Sequence, residues 1–329
     1  MGPILLISLL GACAGGRTCA DRPPTLGVTT RCALDGDRHY DVRLPSASGP
    51  LPVLLYLHGG GGSAEGAPGT TAEDDDAESP DGLNALAERE GFIVVYAEGV
   101  HTPLARKLHT WNAGGGVGDW QCVSGHACSE GVDDVAYFGE LLDDLESWAE
   151  VDTTRIYATG ISNGGAMSYR LASAMPDRIA AIAPVASADQ YDIALGQAPS
   201  RPVPILHVHG TEDPCWPWEG GAAACLQDDG KDKASVDATM ALWASANGCE
   251  DASPVVTPLQ DGADDGTTST LEAWQGCEAE LVLWRVEGGG HTWPDGYLYL
   301  KEQRIGRVER DVPGNEQIWA FLKTHSLSP

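Results

Sequence analysis

Arg155-Ile156-Tyr157-Ala158-Thr159-Gly160-Ile161-Ser162-Asn163-Gly164-Gly165-Ala166-Met167 is the stretch on which the reading of this chain turns. Its first half is a strand-like run, and a helical pattern follows from Asn163 to about Met175. Between them, Gly160-Ile161-Ser162-Asn163-Gly164 is a G-x-S-x-G motif in a strand–turn–helix setting, the context of a nucleophile elbow. The glycines matter there because a strained turn leaves little room for side chains beside the serine. The helix start behind Ser162 adds backbone N–H groups that favour a developing negative charge.

Working outward, strand-like runs occur at His39–Leu44, Pro52–His58, Phe92–Ala97, Ala180–Val185, Val203–Gly210 and Leu281–Val286. Helical patterns lie between them, the clearest at Asp133–Glu150. There Val135, Phe138, Leu141, Leu142, Leu145 and Trp148 fall at helical spacing, and Asp133 can cap the start. This alternation predicts an α/β fold with a mostly parallel central sheet and helices on both faces. Gly62–Asp81 and Asp251–Gly276 are polar, acidic and rich in Gly, Ser and Thr, and read as surface loops.

Three strand ends carry the chemistry. After the run at 52–58, Leu57-His58-Gly59-Gly60-Gly61-Gly62 offers a glycine loop. An oxyanion hole needs one backbone N–H from such a loop and one from the residue after the nucleophile, so Gly60 and Asn163 are the candidate donors. His58 reads as structural. Val208-His209-Gly210-Thr211-Glu212-Asp213-Pro214 ends another strand with two carboxylates, and spacing alone leaves both Glu212 and Asp213 open as the acid. Gly288-Gly289-Gly290-His291-Thr292-Trp293-Pro294 follows the run at 281–286, and His291 is the candidate base. Serine, then acid, then histidine, each just after a strand, is the chain order of α/β-hydrolases.

These motifs resemble those of the esterase family that groups secreted polyhydroxybutyrate depolymerases with feruloyl and acetyl-xylan esterases. Val132-Asp133-Asp134-Val135, the block from Asp152 to Met167, and Ala180-Ala181-Ile182-Ala183-Pro184-Val185 are similar to its central region. His209-Gly210-Thr211-x-Asp213, with Pro217, Trp218 and Gly220-Gly221 behind it, resembles the acid motif and favours Asp213 over Glu212. Gly289-Gly290-His291-Thr292-Trp293-Pro294 resembles the histidine motif, and the likeness runs from about residue 38 to 323. The resemblance implies the α/β-hydrolase fold, a Ser162–His291–Asp213 triad and a substrate-side role for Trp111, Asn112 and Trp293. It implies neither a metal nor an organic cofactor. The Gly-rich stretch from Asn112 to Cys128 and the Cys215–Cys225 segment depart from the family where its members shape the acyl or alcohol pocket, so substrate does not carry over.

The charge balance is 20 basic against 48 acidic residues, a net −28, which disfavours a phosphate backbone as partner. Met1–Ala12 resembles the apolar core of a secretory signal, and Leu10-Gly11-Ala12-Cys13 a bacterial lipobox, making Cys13 the candidate for lipidation. Any membrane contact is then expected only through that N-terminal anchor. Removing Cys13 from nine cysteines leaves eight. Proximity pairs Cys122 with Cys128, Cys215 with Cys225 and Cys249 with Cys277, leaving Cys19 with Cys32, although eight cysteines allow about 105 connectivities. Paired cysteines fit an oxidising compartment, extracellular or in the cell envelope. The expected organisation is a signal at 1–12, an N-terminal segment at 13–37 and one catalytic domain at 38–329. The expected function is a serine carboxylic ester hydrolase acting on hydroxybutyrate-type oligomers or on feruloyl or acetyl esters of polysaccharide. A serine peptidase is the alternative, since the same triad cleaves amides, and a non-catalytic binding lipoprotein is another.

Overall fold

The structure, a computed structural model, describes residues 19–34, 38–102, 105–118, 120, 122, 125–225, 232–250 and 253–328. The expected signal at 1–12 and the lipidation candidate Cys13 lie outside the described residues. Among the described residues ten strands share one sheet: β1 (Thr30–Ala33), β2 (His39–Arg43), β3 (Leu51–Leu57), β4 (Ile93–Ala97), β7 (Val151–Ile161), β8 (Ala181–Val185), β9 (Ile205–Gly210), β10 (Val255–Pro258), β11 (Thr268–Ala273) and β12 (Leu281–Glu287). A separate hairpin pairs β5 (Val100–Thr102) with β6 (Ala105–Thr110). The helices are α1 (Ala67–Thr70), α2 (Leu83–Glu90), α3 (Gly125–Ser129), α4 (Asp134–Trp148), α5 (Asn163–Ala174), α6 (Gln190–Leu195), α7 (Val236–Ala246), α8 (Glu302–Ile305) and α9 (Gly314–Leu322).

The sheet order is β1-β2-β4-β3-β7-β8-β9-β12-β11-β10, and the six strands from β4 to β12 run parallel. Antiparallel strands close both wings. Strand β3, Leu-Pro-Val-Leu-Leu-Tyr-Leu, is buried on both faces, which is why it reads as a continuous apolar run. Its alternate residues divide between two cores. Val53, Leu55 and Leu57 join Phe138, Leu141 and Leu145 of α4 and Trp243 of α7; Leu54 and Tyr56 join Leu83 and Leu86 of α2 and Ile318 and Trp319 of α9. Helix α4 begins as its sequence predicts, with the Asp133 carboxylate accepting from Ala136 N at 3.0 Å.

Two expectations change. The N-terminal segment contributes strand β1, whose Cys32 is bonded to Cys19, so it is part of the sheet. The stretch at 251–276, read as a loop, holds β10 and β11, and Gly62–Asp81 holds the short helix α1. Strand β10 is exposed along its length, so its sequence lacks the alternation that marks a half-buried strand, and pairing with β11 makes it a strand. The four cysteine pairs expected from proximity are bonded: Cys19–Cys32, Cys122–Cys128, Cys215–Cys225 and Cys249–Cys277.

Candidate active site

Ser162, Asp213 and His291 follow β7, β9 and β12, so all three lie at the carboxyl edge of the parallel strands, where open α/β sheets place their sites. Ser162 ends β7 and caps α5 with φ 58° and ψ −122°, a conformation that side chains other than glycine seldom take. The surrounding glycines make that turn possible. A Cβ on Gly160 or Gly164 would overlap the Leu57 carbonyl, and one on Gly164 would also sit 2.6 Å from the His58 carbonyl. The packing of the turn onto β3 therefore excludes a side chain at either position.

Asp213 and His291 are joined by a hydrogen bond of 2.7 Å between Nδ1 and Oδ2, and both side chains are buried. The other carboxylate oxygen of Asp213 accepts from the amides of Cys215 at 2.7 Å and Trp216 at 2.8 Å. A carboxylate with those donors is held in one orientation, and its bond to Nδ1 leaves Nε2 as the ring's free lone pair. The His291 loop is bolted behind: its amide donates to Ile305 O at 2.5 Å, the Gly290 amide to Arg307 O at 2.9 Å, and Tyr299 OH to His291 O at 2.9 Å. Glu212 points elsewhere. Its side chain is 65% exposed and pairs with Arg307 at 3.3 Å, so Asp213 is the carboxylate that meets the imidazole. Among the described residues no hydrogen bond joins Ser162 Oγ to His291. Apo sites are often loose at that contact.

The glycine loop lies against the serine turn. A Cβ on Gly59 would meet Ser162 Cβ at 3.5 Å, and one on Gly60 would meet Asn163 Cβ at 3.6 Å. Gly60 and Asn163 are thus neighbours beside Ser162, as two oxyanion donors must be. The loop is tied down by Gly61 N to His109 O at 2.8 Å and His109 N to Gly62 O at 3.3 Å. Behind it sits Glu98, ringed by His39, His58 and His109 at 3.2–3.5 Å. Burial would raise this carboxyl, but the three rings outweigh burial and bring it down to about 2. Both ring nitrogens of His58 are engaged, Nε2 3.1 Å from Gly99 N and Nδ1 2.8 Å from Gly59 O, which ties the ring to the glycine loop.

Two aromatic residues expected on the substrate side are buried in the core instead. Trp111 packs on His58, Tyr137 and Phe138, and its indole N–H donates to His58 O at 3.0 Å. Trp293 packs on Tyr56 and donates to Asn315 Oδ1 at 3.0 Å. An aromatic letter beside a catalytic motif does not reveal which way the ring points, and both rings follow the larger gain from burial. Asn112 is half-buried, with its amide on Asp134 at 2.7 Å and its side chain on Val132 O at 2.8 Å. The Asn163 side chain, unremarked in the sequence, accepts from Trp111 N at 2.7 Å and donates to Trp111 O at 3.1 Å. It joins the helix start behind the serine to the loop at 111–113. The Cys215–Cys225 bridge lies beside the acid, with Cys215 Sγ within 4.8 Å of side-chain atoms of Asp213 and His291. The bonded sulfur offers no thiolate to a metal.

No family model matches the chain. The chain is 30% identical over 326 residues to NocK of Nocardia uniformis subsp. tsuyamanensis, a protein named as an esterase, covering 93% of this chain and 86% of that one. It is 30% identical over 216 residues to feruloyl esterase B of Piromyces equi, covering 64% of this chain and 36% of that longer protein. Among solved structures, acetyl xylan esterase from Aspergillus awamori matches with a TM-score of 0.53 at 17% identity, over 80% of this chain and 94% of that one. That last likeness is one of fold.

Proposed function

The chain belongs to the esterase family of NocK and feruloyl esterase B and is a carboxylic ester hydrolase of the α/β-hydrolase fold, and from that premise we propose that it works through a Ser162–His291–Asp213 triad. The observation that carries this reading is the buried 2.7 Å bond between His291 Nδ1 and Asp213, at the same sheet edge as the strained Ser162 turn. Ser162 Oγ attacks the ester carbonyl while His291 Nε2 takes its proton, and Asp213 stabilises the imidazolium. The amides of Gly60 and Asn163 hold the oxyanion. The imidazolium then protonates the leaving alkoxide, and a water deprotonated by His291 releases the acid from the acyl-enzyme.

The substrates are feruloyl or acetyl esters of polysaccharide, a reading supported by the names of the relatives, and strand β1 acts with residues 38–329 as one catalytic domain. The four disulfides support action outside the cytosol, and the lipobox-like stretch supports Cys13 as the point of lipid attachment. Labelling of Ser162 by a fluorophosphonate probe, located by peptide mass spectrometry, tests the nucleophile; labelling elsewhere overturns it. A panel of methyl ferulate, acetylated xylan, hydroxybutyrate oligomers and a peptide anilide ranks the substrates. Fastest turnover of the oligomers or the anilide would replace the polysaccharide-ester reading with a depolymerase or peptidase.

A further inference from the structure

Behind the acid lies a buried polar series that the chemistry above does not use. Strand β9 alternates its side chains, so His207 and His209 share one face, where their rings stack with centroids 5.3 Å apart and an interplanar angle of 9°. Tyr169 OH of α5 is 2.7 Å from His207 Nδ1, and His207 Nε2 is 3.2 Å from His209 Nδ1. His209 Nε2 is 2.9 Å from Trp216 O and 3.6 Å from Asp213 Oδ2. All of these side chains are buried.

Only one proton assignment satisfies the series with neutral rings. A carbonyl can only accept, so His209 Nε2 carries the hydrogen and its Nδ1 accepts. His207 Nε2 must then donate, which makes His207 Nδ1 the acceptor of the Tyr169 hydroxyl. A further proton on His209 would fall on Nδ1 and set it against the N–H of His207, and burial holds both imidazoles below their ordinary value.

From this geometry we propose that His209 is a positioning residue for the acid, locked by Tyr169 and His207 in the tautomer whose Nε2–H holds the turn carrying Asp213. The proposal rests on the triad reading above. Trp216 is gripped on both sides: its N–H donates to Asp213 Oδ1, and its carbonyl accepts from His209. Release of the carbonyl frees the amide that orients the carboxylate, and with it the tilt of the His291 ring. The groups facing His209 are His207 on its own strand, Asp213 and the Trp216 carbonyl on the acid turn, and His291 after β12. The Ser187 backbone faces it from beyond β8, the Trp218 ring lies 5.9 Å away, and Asp189 acts on Tyr169 at the far end.

The test uses the whole protein with His209→Leu, His209→Gln, Tyr169→Phe and Asp213→Asn, on p-nitrophenyl acetate across pH 5–9. In His209→Leu, kcat should fall roughly 10–100-fold with KM within about twofold, the loss expected when a reacting group is misplaced by about 1 Å. His209→Gln, which keeps an N–H at similar reach, should recover kcat to within about fivefold. A folded His209→Leu with wild-type kcat, or Leu and Gln variants equally impaired, overturns the proposal. Should His209→Leu fail to fold, Tyr169→Phe decides: a drop in kcat with KM little altered supports the lock, and an unchanged kcat or a change confined to KM overturns it. Wild-type kcat in Asp213→Asn removes the triad reading itself, and a normal loss there beside an inert His209 isolates the failure to this proposal.

Discussion

The two halves of the site are built from different materials. The acid–base half is made of side chains already in place: Asp213 meets His291 at 2.7 Å, two amides hold the carboxylate, and the histidine loop is bolted to residues 305–307. The nucleophile half is made of backbone. Ser162 sits at φ 58°, Gly59 lies against it and Gly60 against Asn163 for want of side chains, and among the described residues its hydroxyl makes no bond to the imidazole. On the proposed triad, proton acceptance is prepared before substrate arrives, whereas the contact that uses it is left to form with the ester bound. Mutations should consequently act through lost groups on one side and through displaced backbone on the other.

The largest break is at the nucleophile. Ser162→Ala should lower kcat by on the order of 10⁶ without a change in fold, as loss of the serine does in a known triad. Stopped assays of p-nitrophenyl acetate against a matched buffer blank check it; wild-type-like turnover would end the assignment. Next is the acid. Asp213→Asn should cost about 10⁴ in kcat by spoiling the tautomer of His291, while Glu212→Gln, half in solvent, should stay within a few-fold. The opposite ranking would exchange their roles.

A displaced-backbone effect should appear at Asn163→Ala, which frees both the Trp111 amide and its carbonyl. Its kcat should fall by roughly 10²-fold through a shifted oxyanion N–H, with KM little altered. A change confined to KM would place Asn163 in substrate binding instead. The smallest effect sharpens the contrast from the other side. Glu309 lies in the segment behind the His291 loop, with one oxygen accepting from Asp311 N and Val312 N and the other buried without a partner. Burial, helped by the nearby Asp311 and Asp265, pushes its carboxyl up to about 7. Because the folded value is raised, wild-type stability falls as pH rises from about 4.5 to 7 and stays lower above that range. Glu309→Gln should therefore match wild type at pH 4 and gain roughly 2–4 °C in Tm at pH 8, with kcat unchanged. Equal gains at both pH values would refute the titration.

Much of this was legible in the sequence because it rests on local rules. A strand followed by G-x-S-x-G, a glycine loop after a strand, and acid and histidine after later strands each betray their place through neighbours in the chain. The cysteine pairs were readable for the same reason, separated by 6, 10, 13 and 28 residues. What stayed hidden depends on partners far away in sequence. Trp111 is buried by α4 and held by Asn163, fifty-two residues on, so its letter in a loop misled. The hairpin of β5 and β6 gains its role by pairing with the glycine loop, a register that no short window contains. His207 and His209 do stand at alternate positions of an apolar run, which marks a shared face, but only the packed sheet reveals that the face backs onto the acid.

Strand β10 has a consequence outside catalysis. Among the described residues it ends the sheet with an unpaired edge, and Val255 and Val256 are 54% and 56% exposed on it. Such an edge is a template on which a second molecule can add a strand. Its four-residue length and Pro258, which has no N–H to offer, blunt it locally. The wider protection is colloidal: a net charge of −28 keeps like molecules apart beyond the reach of backbone pairing. Acidification toward the carboxylate range, or salt that shortens the screening length to a few ångströms, weakens that repulsion. Loss of the acidic coat should therefore favour clustering through the β10 edge, an expectation that light scattering against pH and salt would check.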